Sequence, residues 1–473
     1  MGNKPILFLF FAGIIRFIKV YKKGLETYML EKFGKHNWIT LLIFGIAGQI
    51  AWSVENMYFN LFVYDVIDKN LDAVTLMVQL SGIMATVATL LAGALSDGLG
   101  NRRKFISLGY LIWGVSVALF GCISPELVGQ IFAIEGVRAV AAALALAIVA
   151  DCVMTLFGST ANDAAFNAWV TDNTHPAYRG SVEGVVAILP LFSMLVVVGG
   201  FGMLVGMVGY TAVFVALGAI ISVCGAFGLF FVRDSDDLSP KKGGILAIVY
   251  GFRPSVVREN ALLYIVFVIV GIYGIACQVF MPYLIIYMRE SLGFSTLEYS
   301  AVFAVAIIVG GVINIFLGKM SDRTEKSRLL YVAILIFSVG LFTMYMARDM
   351  IHVANLIFFG LSGFAMITGY IFVAQLTGSM MLDYTPKHDV GKMQGVRMVF
   401  AVLIPMIVGP MIGNAINRAH GLVLENPGAD AMTTSYIPAA EIFLVASGIS
   451  LFSLVFVYIL KKLIAKRGEP CEH

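Results

Sequence analysis

Charge is what this sequence has least of. Lysine, arginine, aspartate and glutamate together make up 13% of its 473 residues, against about 25% in a typical soluble domain. That scarcity excludes an ordinary soluble protein. Cysteine is scarce too, with five in all. Cys122, Cys152, Cys224 and Cys277 lie in or beside apolar runs, Cys471 lies in the tail, and none has metal-ligand spacing. They read as small core residues, with no disulfides expected. A nucleotide-binding loop of the G-x-x-x-x-G-K-[ST] kind is missing. The six histidines (His36, His175, His352, His388, His420 and His473) sit in loops, at the edges of apolar runs or at the chain end. They form no catalytic pairing with serine or cysteine. With no large polar stretch to make a soluble domain, an enzyme fits poorly, and neither a cofactor nor a nucleic-acid partner is expected.

What is abundant is apolar sequence, 59% of the chain. Crossing a bilayer takes roughly 20 apolar residues, and twelve runs meet that need. The first six are Trp38–Tyr64, Ala73–Leu95, Phe105–Ile123, Leu144–Val170, Val185–Met207 and Tyr210–Val232. The second six are Ala261–Met288, Leu297–Leu317, Leu329–Met346, Ala354–Leu382, Val396–Ile416 and Ile442–Leu460. Pro125–Ala143, with Glu126, Glu135 and Arg138, reads as an insertion on one face, or alternatively as the start of a longer, kinked fourth helix. Ile6–Ile15 is followed by Arg16, Lys19, Lys22 and Lys23 with no small-residue cleavage site. It reads as a surface helix rather than a cleaved leader.

Basic residues set the orientation. Of the 32 lysines and arginines, only Lys69, Arg138, Arg289, Arg348 and Arg418 fall on one side. The other 27 lie in the terminal segments and the loops on the opposite face. The expected topology has both termini in the cytoplasm, which needs an even number of spans. The expected organisation is a cytoplasmic segment 1–37, a six-helix bundle 38–232, a linker 233–260, a second bundle 261–462 and a tail 463–473. Gly243–Phe252 in the linker is expected to lie on the membrane surface. The segment Asn417–Glu441 is the longest external loop and carries no recognisable motif. The fold class is therefore all-α, a membrane protein of twelve helices in two related bundles.

Internal echoes support the duplication. Asp172-Asn173-Thr174, Gly180 and Gly184 recur as Asp383-Tyr384-Thr385, Gly391 and Gly395, each 211 positions on. Gly93-Ala94-Leu95-Ser96-Asp97 recurs as Gly318-Lys319-Met320-Ser321-Asp322. Two ordered echoes at nearly one offset mark a chain built from two copies of one design.

The informative residues are the acids inside the spans, because a carboxylate at bilayer depth costs about 2.5–3.5 kcal/mol and is rarely kept without a partner or a wet cavity. Glu55 lies mid-span, with Gln49, Trp52, Ser53, Asn56 and Asn60 on one arc beside it. Amides and a carboxylate bind hydroxyls, and an indole packs the C–H face of a sugar ring. The amides alone also fit a polar seam between helices. In the fourth span Asp151, Thr155, Ser159, Asn162 and Phe166 share a stripe, with Asp163 and Asn167 at its edge. Asp163 lies nine residues from Asp172, about 13 Å along a helix and near mid-membrane. Asp151 reads equally as a functional acid and as a structural partner of Arg138, and Trp169 as an interfacial anchor. The second half offers Tyr273, Gln278, Tyr283, Gln375 and Thr377, with Arg397 near the basic start of the eleventh span.

Gly93–Arg103, GALSDGLGNRR, resembles the loop signature of the major facilitator superfamily, with Ser321-Asp322-Arg323 as its weaker copy. Gly98 and Asn101 stand where basic residues are common. The resemblance implies a gate on the basic face, with Asp97 against the start of the eleventh helix, Arg102 and Arg103 at the membrane surface, and Asp172, Asp383 and Arg397 nearby. Asp163-Ala164-Ala165-Phe166 is similar to the fourth-helix D-x-x-F of melibiose permease-type glycoside–pentoside–hexuronide:cation symporters. There the aspartate contacts sugar beside the cation. The likeness gives Glu55 the first-helix acid role and sets Thr160 near the cation. The two second-helix aspartates of sodium users are absent from Ala73–Leu95, and the fifth-helix arginine is absent from Val185–Met207.

The expected function is alternating-access symport of a sugar or glycoside-like solute at the plasma membrane. Its coupling ion is a proton carried by Glu55 or Asp163, with sodium as the other possibility, and the unit is a monomer. The alternatives are another solute class (nucleoside, amphiphile or lysolipid, or drug) and a non-transporting membrane receptor.

Overall fold

The computed structural model describes residues 33–174, 179–235, 251–321, 324–347, 352–386, 390–424 and 435–467. Twelve of its helices are long and apolar enough to cross a membrane. In the first half these are α1 (Lys35–Ile67), α2 (Leu71–Ser96), α3 (Arg102–Phe120), α4 (Val137–Asn173), α5 (Ile188–Val208) and α6 (Tyr210–Phe231). In the second they are α7 (Ala261–Ser291), α8 (Thr296–Gly318), α9 (Lys326–Met346), α10 (His352–Tyr384), α11 (Gly395–His420) and α12 (Glu441–Lys466). The chain is a multi-pass membrane protein.

Local sequence sets the joints. Asn70 caps α2, its side-chain oxygen accepting from the Asp72 and Ala73 backbone N–H groups at 2.9 and 3.3 Å. Gly100 ends the same helix at φ 58°, a left-handed turn that glycine adopts without a Cβ penalty. Asn101 then caps α3 through the Lys104 N–H at 3.0 Å. The Gly-Asn pair in the loop signature is thus a stop followed by a start.

Within each half the helices pack through small residues. A Cβ on Gly225 of α6 would fall on the backbone of Leu111 in α3, and one on Gly218 would meet Gly114 and Ala118. Gly340 and Gly369 do the same for α9 and α10. In lipid, where apolar tails compete with apolar side chains, such close approach drives helix association.

The halves meet along α2 with α11 and α5 with α8, a pair of contacts that a twofold exchanges. At the end away from the basic loops they are tied by polar bonds. Arg289 of α7 grips Asp65 of α1, with Nη1 2.6 Å from Oδ2 and Nη2 on the other oxygen. The Tyr210 hydroxyl donates to the same carboxylate at 2.7 Å. Arg418 and Asn414 of α11 bind Asp72 of α2 at 2.5 and 2.6 Å. The Thr75 and Tyr283 hydroxyls lie 2.6 Å apart, and Gln79 donates to the Ile407 carbonyl at 3.0 Å. Among the described residues these cross-half bonds cluster toward this far end.

Several boundaries differ from the sequence reading. α4 begins at Val137, seven residues before Leu144, so only Pro125–Phe132 stands apart as a short helix of its own. Its polar start hid the join. α2 begins at Leu71 and takes in Asp72, because the Asn70 cap brings an acid into the first turn. Leu422–Val423 and Tyr436–Ile437 pair as a small antiparallel β-ribbon between α11 and α12. The surface helices expected at Ile6–Ile15 and across most of Gly243–Phe252 lie outside the described residues.

Candidate functional site

The acids of α1 and α4 sit where both helices widen. Glu55–Phe59 and Ser159–Phe166 are wound as π-helix, a turn that recurs at functional sites because it re-aims side chains. The wide stretch of α4 breaks up its polar stripe. Asp151 and Thr155 face α1 and α2. Asn162 turns away to donate to the Tyr110 hydroxyl of α3 at 2.6 Å, and that hydroxyl donates to the Phe44 carbonyl at 2.6 Å. Asn162 is therefore a fastener rather than part of a ligand wall.

Two groups result. In the first, Ser81 of α2 donates to Asp151, and the Thr155 hydroxyl donates to Glu55 Oε1 at 3.1 Å, with Ser81 Oγ a longer 3.4 Å away. Asp151 is 1% exposed and Glu55 is 8% exposed, and Glu55 Oε2 has no hydrogen-bond partner. This group faces a narrow crevice with about 20 Å³ of free space between α1, α2, α4 and α11, bordered by Asn56, Asn60 and Met406. In the second, half-buried Asp163 faces the Trp52 indole nitrogen and the Ser159 hydroxyl. Neither of those completes a well-formed hydrogen bond with any partner. The positive charge of Arg397 on the second half acts on Asp163. Trp52 rests on Trp113, ring centres 5.0 Å apart.

The remaining expected residues are placed as follows. Asn56 and Asn167 are exposed, each donating to its own helix, to Trp52 O at 2.8 Å and Asp163 O at 3.1 Å. Gln49 and Thr160 are half-buried. Gln278 packs on Gly409 of α11, while Gln375 lies over Gly318 of α8, so the structure does not bring Gln375 to the two acid groups. At the basic end Arg102, 3% exposed, binds Asp172 at 3.0 Å and Ser96 Oγ at 2.6 Å. Lys326 pairs with Asp383 at 2.5 Å. Arg103 is exposed, and its backbone N–H reaches Asp234 at 2.9 Å. These bonds lie within a half rather than across the seam. The Asp97 side chain, Asp322 and Arg323 lie outside the described residues.

Two sequence readings need correction. Asp151 does not pair with Arg138, because they stand 13 positions apart on one helix, roughly 20 Å along its axis. Trp169 is not an interfacial anchor. It is fully buried, stacks with Phe166 at 6.0 Å, and donates to the Arg233 carbonyl at 2.7 Å. Sequence reasoning also missed Ser81 and the far-end pairs. Serine gives no hydropathy signal, but Asp65 and Asp72 flanking a short turn, with Arg289 and Arg418 among the few far-side cations, were a readable one.

The Major Facilitator Superfamily model matches residues 41–378. No curated protein matches. Among solved structures, a bacterial homolog of the human lysosomal transporter Spinster, in an inward-facing and unoccupied conformation, is similar. Its TM-score is 0.66 and its identity 12%, covering 92% of this chain and 99% of that one. A mutant of the nucleoside transporter NupG is similar with TM-score 0.66 and 11% identity, covering 89% and 99%. At such identities the likeness is one of fold, twelve helices in two related bundles, and together with the family match over most of its length it makes this chain a member of the major facilitator superfamily.

Proposed function

We propose that the protein is a secondary transporter that moves a small polar, sugar-like solute by alternating access, with a proton as the coupling ion. The basic face is cytoplasmic on the positive-inside rule, with both termini there, in the plasma membrane. The far-end ties then hold the halves shut on the outside, so the arrangement is open inward.

The observation that carries the reading is the unmatched, buried Glu55 Oε2 on the seam between the halves. An acid oxygen out of water with no donor is costly and is kept where something comes and goes. Trp52, Asn56, Asn167 and Asp163 supply the stacking face, the amides and the charge that a polyhydroxylated solute needs. Glu55, buried and joined to a hydroxyl, is the better proton carrier. Asp163, half-buried and opposed by Arg397, is the better solute contact. A nucleoside shares the same ring and hydroxyl chemistry and is the second reading. Bare fold likeness to a nucleoside transporter does not favour it over a sugar.

The test is uptake into proteoliposomes under an imposed proton gradient, screening sugars, glycosides and nucleosides. Glu55→Gln should lose accumulation while keeping exchange of labelled for unlabelled solute across the membrane. Accumulation at the wild-type level by Glu55→Gln would sink the coupling role, and absence of flux for every class would favour a receptor.

A further inference from the structure

The crevice beside Glu55 holds a second acid that the transport reading does not use. Asp151 is more deeply buried than Glu55, and the two are joined by a pair of hydroxyls. A count of hydrogens is instructive. Ser81 has one proton and gives it to Asp151. Thr155 has one and gives it to Glu55, with Ser81 as the longer alternative. Two ionised carboxylates would thus share two donors and leave Glu55 Oε2 bare. Among the described residues, the surrounding elements offer no countercharge. α2 brings Met77, Val78 and Ser81, α11 brings Met406, and α1 adds Asn56 and Asn60. The other titratable groups acting here are Asp163, which adds negative charge against Glu55, and the Cys152 thiol beside Asp151. Like charges in a buried site cannot both ionise without a large cost.

We propose that Glu55 and Asp151 form a two-carboxyl site that holds one proton between them, with the Ser81 and Thr155 hydroxyls as the path joining them. The proposal rests on the transport reading for its purpose but not for its test. Along that path the proton balance closes. An Asp151 carboxyl donates to Ser81 Oγ, Ser81 passes its own proton to Thr155 Oγ1, and Thr155 passes its proton to Glu55. Each hydroxyl ends with one proton, and the charge has moved from Glu55 to Asp151. The size of the crevice fits this role. A water needs about 10–15 Å³ of free space, and this crevice, with about 20 Å³, suits water and a proton better than a sugar. Solute would sit beside it, toward Trp52 and Asp163. Asp151 is thereby assigned to the coupling unit.

The experiment is infrared spectroscopy of the purified full chain in ²H₂O at neutral pH, reading the carbonyl stretch of protonated carboxyl groups. The wild type should show one such carboxyl. Glu55→Gln and Asp151→Asn should each remove it, because with either acid replaced by an amide the other ionises alone, and Asp163→Asn should keep it. A band surviving Asp151→Asn, a band removed by Asp163→Asn, or no band in the wild type overturns the proposal. Should an amide variant fail to fold, Glu55→Asp and Asp151→Glu keep both carboxyls, and each should keep a single band but move it, because the proton belongs to the pair. A band that neither substitution moves overturns the proposal equally. If the shared proton is found but solute uptake ignores the proton gradient, the coupling reading falls while the site stands.

Discussion

Removing the far-end tie at Arg289 should open the outer side, and the geometry says by how much. Arg289 meets Asp65 through two nitrogens, and the two side chains are 28% and 19% exposed. The parallel tie, Arg418 to Asp72, is more solvated, at 56% and 34%. Exposed ion pairs are worth about 0–1 kcal/mol. Hydrogen bonds to charged groups in more sheltered settings are worth about 1.5–3 kcal/mol. Both arginines fork onto both oxygens of their aspartate and each carboxylate has a further donor, so it is the deeper burial of the Arg289 pair that puts it nearer the second range. Taking about 1.5 kcal/mol, Arg289→Ala should raise the ratio of outward-open to inward-open molecules about tenfold. Arg418→Ala should raise it by about fivefold or less. Spin labels at exposed far-end positions on opposite halves, Ile131 and Leu297, would report the two populations as separate distances. Exchanging the charges, Arg289→Asp with Asp65→Arg, should recover only part of the wild-type ratio, because Glu290 also pairs with Arg289 and Tyr210 donates to Asp65. An effect of Arg418→Ala larger than that of Arg289→Ala, or no shift from either, would refute the reasoning, because burial would then not decide which tie holds the gate.

At the basic end, Arg102→Ala should lower the melting temperature in detergent clearly more than Arg103→Ala. Arg102 is nearly fully buried against Asp172 and Ser96, and its loss leaves Asp172, 19% exposed, without that partner, at a cost of about 1–3 kcal/mol. Arg103 is exposed; its backbone N–H holds Asp234, and its side chain adds only a solvent-screened charge near that acid. Gly225→Leu should force α3 and α6 apart, since its side chain would enter the Leu111 backbone. Overpacking of about 1–3 kcal/mol should appear as a lower melting temperature, whereas Gly206→Leu, at a position with open space around it, should leave it unchanged.

What the sequence made legible follows from which signals survive burial. Span number and the two-half plan could be read because membrane thickness sets run length and because lysine and arginine sort by side, and the structure keeps all twelve helices. The acids could be flagged one by one, because charge at bilayer depth is rare. Their grouping could not. Counting 100° per residue along α4 assumes 3.6 residues per turn, and the eight residues Ser159–Phe166 are wound wider. Across that stretch the count drifts. It kept Asn162 in the stripe with Asp151, whereas the structure sends Asn162 to Tyr110 and leaves Asp163 facing Trp52. Arg138 was proposed for Asp151 on charge alone, because nothing in a string of letters shows that the nearest proton donor is a serine on another helix. For Asn162 and Asp163 the cause is rotation. Hydropathy fixes which residues are inside the membrane, but the partners of a buried acid depend on helix rotation, and the wide turns that alter the rotation fall at the residues whose partners matter most.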